Sequence, residues 1–316
     1  MTENNILLKV NNLSVSFGKG KKKFYAVDDV SFYVEKGETF GIVGESGSGK
    51  TTLARTIMRL YTPQSGEIHF KDEKISGRIS PETDTELTKN IQMIFQDPMS
   101  SLNERAKVDY IIAEGLYKIK NLSEEERERR ISKVMSEVGL HREFGGRFPH
   151  EFSGGQRQRI GIARVLITEP ELIVADEPIS ALDVSIRAQV LNLMSRLKKE
   201  RGLTYIFISH DLSVMKFICS RIAAMYKGRI VEMADTETLF SRPVHPYTRS
   251  LLSAVPIADP KKEKARTAVS YDPGMHDYSE DLPVWNEIEN GHYVYSNKAE
   301  TEQYTEMLSD LNKLKV

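Results

Sequence analysis

Phe152-Ser153-Gly154-Gly155-Gln156-Arg157-Gln158-Arg159 is the stretch that most restricts the set of possible folds, because a second motif lies upstream of it and a third lies downstream. A glycine-rich loop, Gly44-Glu45-Ser46-Gly47-Ser48-Gly49-Lys50-Thr51, lies upstream, and an acidic pair, Asp176-Glu177, lies downstream. Many proteins carry such a loop, whereas few carry all three features in this order. The three together are therefore far more specific than the loop alone.

The length of the chain, 316 residues, favours one large domain with an appendage, or two small domains. Lys and Arg number 44 and Asp and Glu 45, so the net charge of -1 gives no reason to expect nucleic acid as a partner. Cys219 is the only cysteine, which excludes a disulfide framework. No secretory signal is visible, and no apolar run reaches the ~18–20 residues that span a bilayer. We therefore expect a cytosolic protein that reaches a membrane only through a partner.

Apolar runs predict strands that alternate with helices, and hence an α/β domain with a largely parallel sheet. The predicted strands lie at residues 7–10, 30–34, 39–43, 172–175 and 204–208. Helices are predicted at 53–60, after a capping box at 123–126, and where five apolar residues share one face: Ile186, Val190, Leu193, Met194 and Leu197.

The composition changes after about residue 256. Residues 260–266 are typical of a linker. The tail carries apolar residues at the spacing of a short amphipathic helix, although a frayed end fits equally well: Tyr304, Met307, Leu311 and Leu314. We predict a first domain at 1–256, with a helical subdomain at about 97–165, and an extension at 257–316.

The glycine-rich loop follows a predicted strand and opens a predicted helix, which is the setting of a phosphate-binding loop. Its backbone N–H groups would converge on phosphate oxygens, helped by the helix dipole. Lys50 would reach the β- and γ-phosphates, Thr51 would ligate Mg²⁺, and Thr52 could add a hydroxyl at the α-phosphate. A glycine-rich turn that matches by chance is the alternative. The loop alone does not separate kinases, GTPases, helicases and transport ATPases.

The acidic pair ends a buried strand, where ligands of parallel sheets bind. Asp176 would hold Mg²⁺ through water. Glu177 would orient the attacking water and take its proton, help that is typically worth ~10²–10⁴ in rate. The alternative is a solvated turn ahead of Pro178.

Three further polar residues end strands or follow the acidic pair. Gln96 could sense Mg²⁺ or the attacking water, and His210 could hydrogen-bond the γ-phosphate. Asp183 could serve the same site, or it could cap the helix that begins near Ser185. Taken singly, Gln96 would more often be a loop residue and His210 a neighbour of a helix start.

At every one of these motifs, over roughly residues 6–256, the chain resembles the ATP-binding cassette (ABC) ATPases. The resemblance implies a P-loop NTPase fold with a mostly parallel core sheet, an antiparallel β subdomain and a helical subdomain. It makes 44–51 the Walker A loop, Gln96 the Q-loop glutamine, 152–156 the signature, Asp176 and Glu177 part of Walker B, 180–183 the D-loop, and His210 the switch histidine. Phe152 stands where the family usually has leucine.

The family works as a head-to-tail pair, in which ATP lies between the Walker A loop of one subunit and the signature of the other. Ser153, Gly154, Gly155 and Gln156 would therefore meet a partner's nucleotide, and the N-terminus of a helix suits a phosphate there. The resemblance also implies an aromatic that stacks on adenine. Phe17 is the first candidate and Tyr25 the second, although Phe17 could equally be a core aromatic.

A second resemblance comes from Ser241-Arg242-Pro243-Val244-His245-Pro246-Tyr247-Thr248-Arg249-Ser250-Leu251-Leu252, which is similar to the ATPases of oligopeptide, dipeptide and nickel importers. A proline-punctuated helix start is the generic reading. The resemblance implies a homologous but distinct ATPase partner, two membrane permeases and an extracytoplasmic binding protein, with this chain at the cytoplasmic face of the membrane. Similar ATPases carry clustered cysteines in the extension. This chain has none there, so we expect no iron–sulfur cluster and a structural role for His292.

Three alternatives remain at this stage. The transported solute could be nickel or another small molecule, because the substrate would not touch this chain. An ABC ATPase of DNA repair or translation would show a long coiled coil or two cassettes, and neither is present. A small-molecule kinase would not need the Ser153-Gly154-Gly155-Gln156 run.

Overall fold

The computed structural model describes residues 5–97, 101–117, 122–255 and 269–313. These ranges contain twelve β-strands in two sheets and ten α-helices. None of the helices in the described ranges is long and apolar enough to cross a membrane. The predicted linker at 260–266 and Leu314 lie outside the described residues.

The smaller sheet is antiparallel and has the order β2-β1-β4-β5. Its strands are β1 (Ile6–Phe17), β2 (Phe24–Glu35), β4 (Ser65–Phe70) and β5 (Glu73–Lys74). β1 and β2 are much longer than the runs 7–10 and 30–34 that predicted them. Bulges interrupt the register between them, which lets polar residues occur inside the strands without ending the pairing.

The larger sheet has the order β11-β12-β10-β9-β3-β8-β7-β6. Its parallel part comprises β3 (Thr39–Val43), β6 (Ile91–Ile94), β7 (Leu172–Asp176), β8 (Thr204–Ser209) and β9 (Arg221–Tyr226). Its antiparallel part comprises β10 (Arg229–Asp235), β11 (Val284–Glu289) and β12 (His292–Ser296). The predicted α/β fold, with a mostly parallel core sheet and a separate antiparallel sheet, is confirmed.

Alternate residues of the central strands belong to two different apolar cores. Ile173 and Phe207 pack with the helical side of the domain, whereas Val174 and Ile206 pack with the small sheet. A strand covered on both faces must be apolar throughout, which explains the continuous apolar runs in the sequence.

The helices are α1 (Lys50–Ile57), α2 (Pro81–Asn90), α3 (Val108–Ala113), α4 (Glu124–Glu137), α5 (Gly154–Leu166), α6 (Val184–Arg201), α7 (Leu212–Ile218), α8 (Thr236–Ser241), α9 (Pro246–Ser253) and α10 (Lys298–Lys313). α1 begins three residues before the predicted start and ends at Ile57 rather than residue 60. α10 realises the predicted amphipathic tail helix, because Tyr304 and Leu308 are buried against Val244 and Val294.

The predicted capping box of α4 is only half formed. Ser123 Oγ accepts the backbone N–H of Glu126 at 3.2 Å. The Glu126 carboxylate instead accepts from Arg129 and Arg130, because charge-assisted bonds to guanidinium groups are stronger than a bond to a neutral amide. α4 packs with α3 and α5 around buried Ile112, Met135 and Ile160.

Candidate nucleotide site

Four loops leave the same edge of the large sheet, because β3, β8, β7 and β6 are parallel neighbours. β3 leads into Gly44, β8 into His210 and β7 into Glu177, while Gln96 follows β6 after one residue. The carboxyl edge of a parallel sheet is where such folds bind ligands. The fold therefore gathers the predicted site residues of four distant segments.

The phosphate loop needs glycine at specific positions. Gly47 and Gly49 have φ of 80° and 109°, in the left-handed region. A Cβ on Gly49 would lie 2.1 Å from the Ala26 carbonyl oxygen, and one on Gly44 would lie 2.2 Å from that of Met225. The loop is thus pressed against β2 and β9.

Lys50 is the first residue of α1, and its side chain lies along the loop. Its Nζ donates to the carbonyl oxygens of Gly44 and Glu45, both at 2.7 Å, and to Ser48 Oγ at 3.3 Å. Burial lowers the pKa of Lys50, although Glu177, Asp176 and Glu45 oppose the shift. A cation held in this way is well placed to meet phosphate oxygens bound by the loop.

Thr51 and Asp176 form the candidate magnesium site. Thr51 Oγ1 donates to Asp176 Oδ1 at 3.3 Å, and Asp176 is only 4% exposed. Burial raises the pKa of Asp176, and the adjacent Glu177 adds to the rise, against the opposing hydrogen bond from Thr51. Hydroxyl and carboxylate oxygens are the ligands that Mg²⁺ prefers, and a cation there would relieve the repulsion between the two carboxylates. The buried Asp176 does not fit a solvated turn.

Glu177 lies between the other two predicted catalytic side chains. Gln96 Nε2 donates to Glu177 Oε2 at 3.0 Å, and His210 Nδ1 donates to Glu177 Oε1 at 3.0 Å. The backbone of Glu177 is left-handed, with φ of 48°, and its N–H donates to the Ile208 carbonyl at 2.9 Å. This strained turn directs the carboxylate of Glu177 to the polar edge rather than into the core.

The signature begins α5, as the sequence predicts. Ser153 Oγ accepts from the Gln156 N–H at 3.3 Å, and Gln156 Oε1 accepts from the Ser153 N–H at 3.0 Å, so these two residues form a capping box. A Cβ on Gly155 would lie 2.5 Å from Ile186 Cγ2, whereas Ser153 and Gly154 are exposed. Phe152 is buried against Phe144, which accounts for an aromatic at this position.

The signature and the phosphate loop belong to different parts of the domain. α5 packs on α3, α4, α6 and β6, whereas α1, which carries the end of the loop, packs on β2 and β7. The exposed start of α5 therefore faces outward from its own chain.

Asp183 occupies the N-cap position of α6, yet its side chain makes no capping hydrogen bond. The alternative of a simple helix cap is therefore not realised. Asp183 is exposed, and the next residue, Val184, is 80% exposed although it is apolar.

The two adenine candidates lie on adjacent strands. Phe17 is partly buried and packs against the core of the small sheet, with its ring 5.9 Å from that of Phe24 and 5.3 Å from that of Tyr61. Tyr25 is more exposed, and its hydroxyl accepts from Lys23 Nζ at 3.1 Å. Both assignments remain predictions.

Sequence reasoning missed two contacts that hold the phosphate loop. Tyr247 Oη accepts from the Glu45 N–H at 3.0 Å, and the Gly228 N–H donates to the Ser48 carbonyl at 2.8 Å. Tyr247 belongs to the quoted 241–252 motif, but the motif carries no sign that it meets a loop 202 residues earlier.

Comparisons with known proteins bear on the same regions. The family model "ABC transporter" matches residues 27–180, and the model "Oligopeptide/dipeptide transporter, C-terminal region" matches residues 231–280. Among solved structures, the dimeric ATP-binding cassette MJ0796 bound to ADP and Pi has a TM-score of 0.66 and 28% identity, covering 73% of this chain and 99% of that one. CbiO1 of Clostridium perfringens, part of the ABC transporter complex cbiONQ, has a TM-score of 0.68 and 28% identity, covering 75% and 91%.

Relatives match along nearly the whole chain. The oligopeptide transport ATP-binding protein OppF of Streptococcus pyogenes serotype M1 is 58% identical over 304 residues, covering 96% of this chain and 99% of the relative. OppF of Bacillus subtilis (strain 168) is 50% identical, with coverage of 96% and 100%. The dipeptide transport ATP-binding protein DppF of Lactococcus lactis subsp. cremoris (strain MG1363) is 47% identical, with coverage of 96% and 98%. The chain therefore belongs to the ABC transporter family, in the branch of ATP-binding proteins that carry the oligopeptide/dipeptide transporter C-terminal region.

Proposed function

We propose that this chain hydrolyses ATP to drive an ABC importer of oligopeptides or dipeptides. The observation that carries the enzymatic part is the position of Glu177, held by Gln96 and His210 beside the phosphate loop. Peptide as the class of substrate is supported by the relatives named for oligopeptide and dipeptide transport and by the match at residues 231–280. Nickel or another small solute is the alternative substrate.

In the proposed reaction the loop amides and Lys50 bind the phosphates of ATP, and the Thr52 hydroxyl contacts the α-phosphate. Thr51 and Asp176 would hold Mg²⁺, with Gln96 at its edge, and the cation would neutralise charge on the β- and γ-phosphate oxygens. Glu177 takes the proton of the attacking water, while His210 hydrogen-bonds the γ-phosphate. Gln96 and His210 each donate to one oxygen of the Glu177 carboxylate, so both side chains already lie beside the proposed base.

The second half of each nucleotide site would come from a partner ATPase. This partner would be homologous to the present chain but would have a different sequence. Ser153 and Gly154 are exposed at the N-terminus of α5, which favours an anion. Asp183 and Val184 are also exposed, and both would lie in the same contact. ATP would close the pair, and hydrolysis would reopen it.

The permeases would dock beside Gln96. A cavity of about 1110 Å³ lies between α2, β6 and α5, and its apolar lining includes Met58, Phe95 and Val165. Its acidic side chains outnumber its basic ones: Glu82, Asp84, Glu86 and Glu114 against Lys89 and Arg164. A permease segment with an apolar side chain flanked by basic residues would fit this lining. The chain would then lie at the cytoplasmic face of the membrane. Two permeases and an extracytoplasmic binding protein would complete the importer, and we expect no nucleic acid as a partner.

The variant Glu177→Gln tests the enzymatic role. The amide keeps the shape of the side chain but cannot take a proton, so ATP binding should persist while turnover falls by about 10²–10⁴. ATP hydrolysis and peptide uptake are measured with the complex reconstituted in liposomes. Glu200→Gln, an exposed carboxylate on α6, is the matched control and should hydrolyse ATP like the wild type. Unchanged hydrolysis by Glu177→Gln would remove Glu177 from the reaction.

A further inference from the structure

The 241–252 motif contains a side chain that reaches the phosphate loop. Tyr247 lies in the first turn of α9 and is 1% exposed. Its hydroxyl accepts the backbone N–H of Glu45, the second residue of the loop, at 3.0 Å. The contact is partly buried, and it pairs a backbone donor at the point where β3 turns into the loop. Burial raises the pKa of Tyr247 to about 12, so the hydroxyl stays protonated.

Tyr247 is held in turn by a chain of buried hydrogen bonds. His245 Nδ1 accepts the Tyr247 N–H at 3.1 Å. The carboxylate of Glu232, which is 0% exposed, accepts the N–H groups of Val244 and His245 at 2.9 and 3.0 Å. His292 Nε2 donates to Glu232 Oε1 at 2.8 Å. The chain of contacts thus runs from β12 through β10 and the start of α9 to the loop.

The ring of Tyr247 is fixed as well. Its centroid lies 4.6 Å from that of Tyr226 and 5.4 Å from that of Tyr271. Tyr226 ends β9, and the turn after it contains Gly228, whose N–H donates to the Ser48 carbonyl at 2.8 Å. Contacts from this one region therefore hold two separate peptides of the loop.

Glu45 is contacted by the side chains of Lys50 and Tyr247, and a bound nucleotide would affect these two contacts differently. Lys50 Nζ donates to the carbonyls of Gly44 and Glu45, and a lysine that turns toward phosphate oxygens gives up part of that contact. The hydroxyl of Tyr247 contacts the opposite edge of the Gly44–Glu45 peptide group, at the N–H, and can remain in place. Its loss should therefore cost the nucleotide-bound loop more than the unbound loop.

We propose that Tyr247 is a positioning residue that holds the phosphate loop in its binding shape and connects the C-terminal strands to the affinity for ATP. The inference rests on the proposed binding of ATP phosphates by residues 44–51.

The variant Tyr247→Phe keeps the ring and removes the acceptor. We expect the Kd for a fluorescent ATP analogue with Mg²⁺ to rise about 3- to 10-fold, the net contribution of one intramolecular hydrogen bond. The KM for ATP of the reconstituted complex should rise by a similar factor with kcat nearly unchanged, because Glu177, Gln96 and His210 are untouched. Thermal unfolding of both proteins is recorded alongside.

Tyr271→Phe is the matched control, because it removes a hydroxyl from the same aromatic cluster; it should bind nucleotide like the wild type. A wild-type Kd for Tyr247→Phe, with or without a lower melting temperature, would overturn the positioning role while leaving the proposed function intact. An equal loss in both variants would also overturn it, because it would indicate general packing. Failure of the wild-type complex to bind ATP would instead reject the proposed function.

Discussion

At the scale of single residues, the site contains a carboxylate, Asp176, whose ionised form is disfavoured by burial. Asp176 is buried beside Glu177, and burial raises its pKa. The ionised form of Asp176 is therefore less stable in the folded protein than in the unfolded chain. A carboxylate whose charge the fold disfavours is typical of a functional site, which supports the proposed role of Asp176 in binding a cation.

Asp176→Asn should stabilise the protein in the absence of nucleotide and Mg²⁺, while abolishing Mg²⁺-dependent hydrolysis. The pKa of Asp176 is higher in the folded protein than its value of about 3.9 in the unfolded chain. The stability that protonated Asp176 contributes is therefore fully present below about pH 3.9, and it is lost as the pH rises through the pKa of the folded state. The gain in melting temperature of the variant should accordingly be larger at pH 7.5 than at pH 4. Thermal unfolding at the two pH values measures it.

Asp72→Asn, a change at an exposed carboxylate in a turn, is the control and should leave the melting temperature nearly unaltered at both pH values. A variant at Asp176 that melts at or below the wild-type temperature at pH 7.5 would show that the Asp176 charge is stabilising after all.

The positions of the candidate site residues could be predicted because each lies at the end of a strand or in a motif of fixed spacing. Asp176, Glu177 and His210 lie at or just after the ends of apolar runs that predict buried strands. Lys50 comes instead at the end of the glycine-rich motif, seven residues after β3. Tyr247 could not, since its partner Glu45 is brought to it only by the folding of the whole domain.

At the scale of elements, the start of α9 contains a histidine that burial keeps neutral. His245 is the N-cap of α9 and is almost fully buried. Burial lowers its pKa to about 3, with help from His276 and Arg249. Other titratable groups face it as well: the ring of Tyr271 at 5.8 Å, and Glu232, which accepts its backbone N–H.

His245→Asn should make the protein less sensitive to acid. A histidine with a lowered folded pKa contributes stability above its unfolded value of about 6.5, and that stability is lost as pH falls toward the folded value, by about 1.4 kcal/mol per pH unit. Asparagine can still cap the helix but takes up no proton. Between pH 7 and 5, the free energy of unfolding from urea titrations should fall by about 2 kcal/mol less in the variant than in the wild type.

His141→Asn removes an exposed histidine and should follow the wild type over the same pH range. Parallel pH profiles for wild type and His245→Asn would mean that His245 is not kept neutral by the fold.

The elements themselves were predictable to different degrees. β3, β7 and β8 are buried throughout and mostly apolar, so their runs alone indicate buried parallel strands. β11 and β12 were not predicted, because they are half-exposed and owe their place to pairing of β12 with β10, about 60 residues earlier. The start of α5 was predictable since Ser153 and Gln156 are a complete local capping signal.

At the scale of the whole molecule, the parts of the proposed nucleotide site belong to different parts of the domain. The phosphate loop, Glu177 and His210 share the sheet edge, whereas Ser153 opens a helix that packs with the helical part of the domain. This separation is what leads us to propose that a second ATPase completes the nucleotide site.

Oxidative cross-linking tests that arrangement. We expect Ser153→Cys, assembled with a partner ATPase that carries a cysteine in its own phosphate loop, to form an intersubunit disulfide with MgATP bound. The link should be strongest when Glu177→Gln is also present, since slow hydrolysis keeps the pair closed, and weak without nucleotide. Native Cys219 should not interfere, because it is buried and burial raises its pKa. Ser309→Cys, exposed on α10, is the control and should not link. In a shared site, closure must bring the start of α5 within disulfide reach of the opposing phosphate loop. Equal yields of the intersubunit disulfide from the two variants, or no disulfide from Ser153→Cys with MgATP, would therefore contradict a shared site.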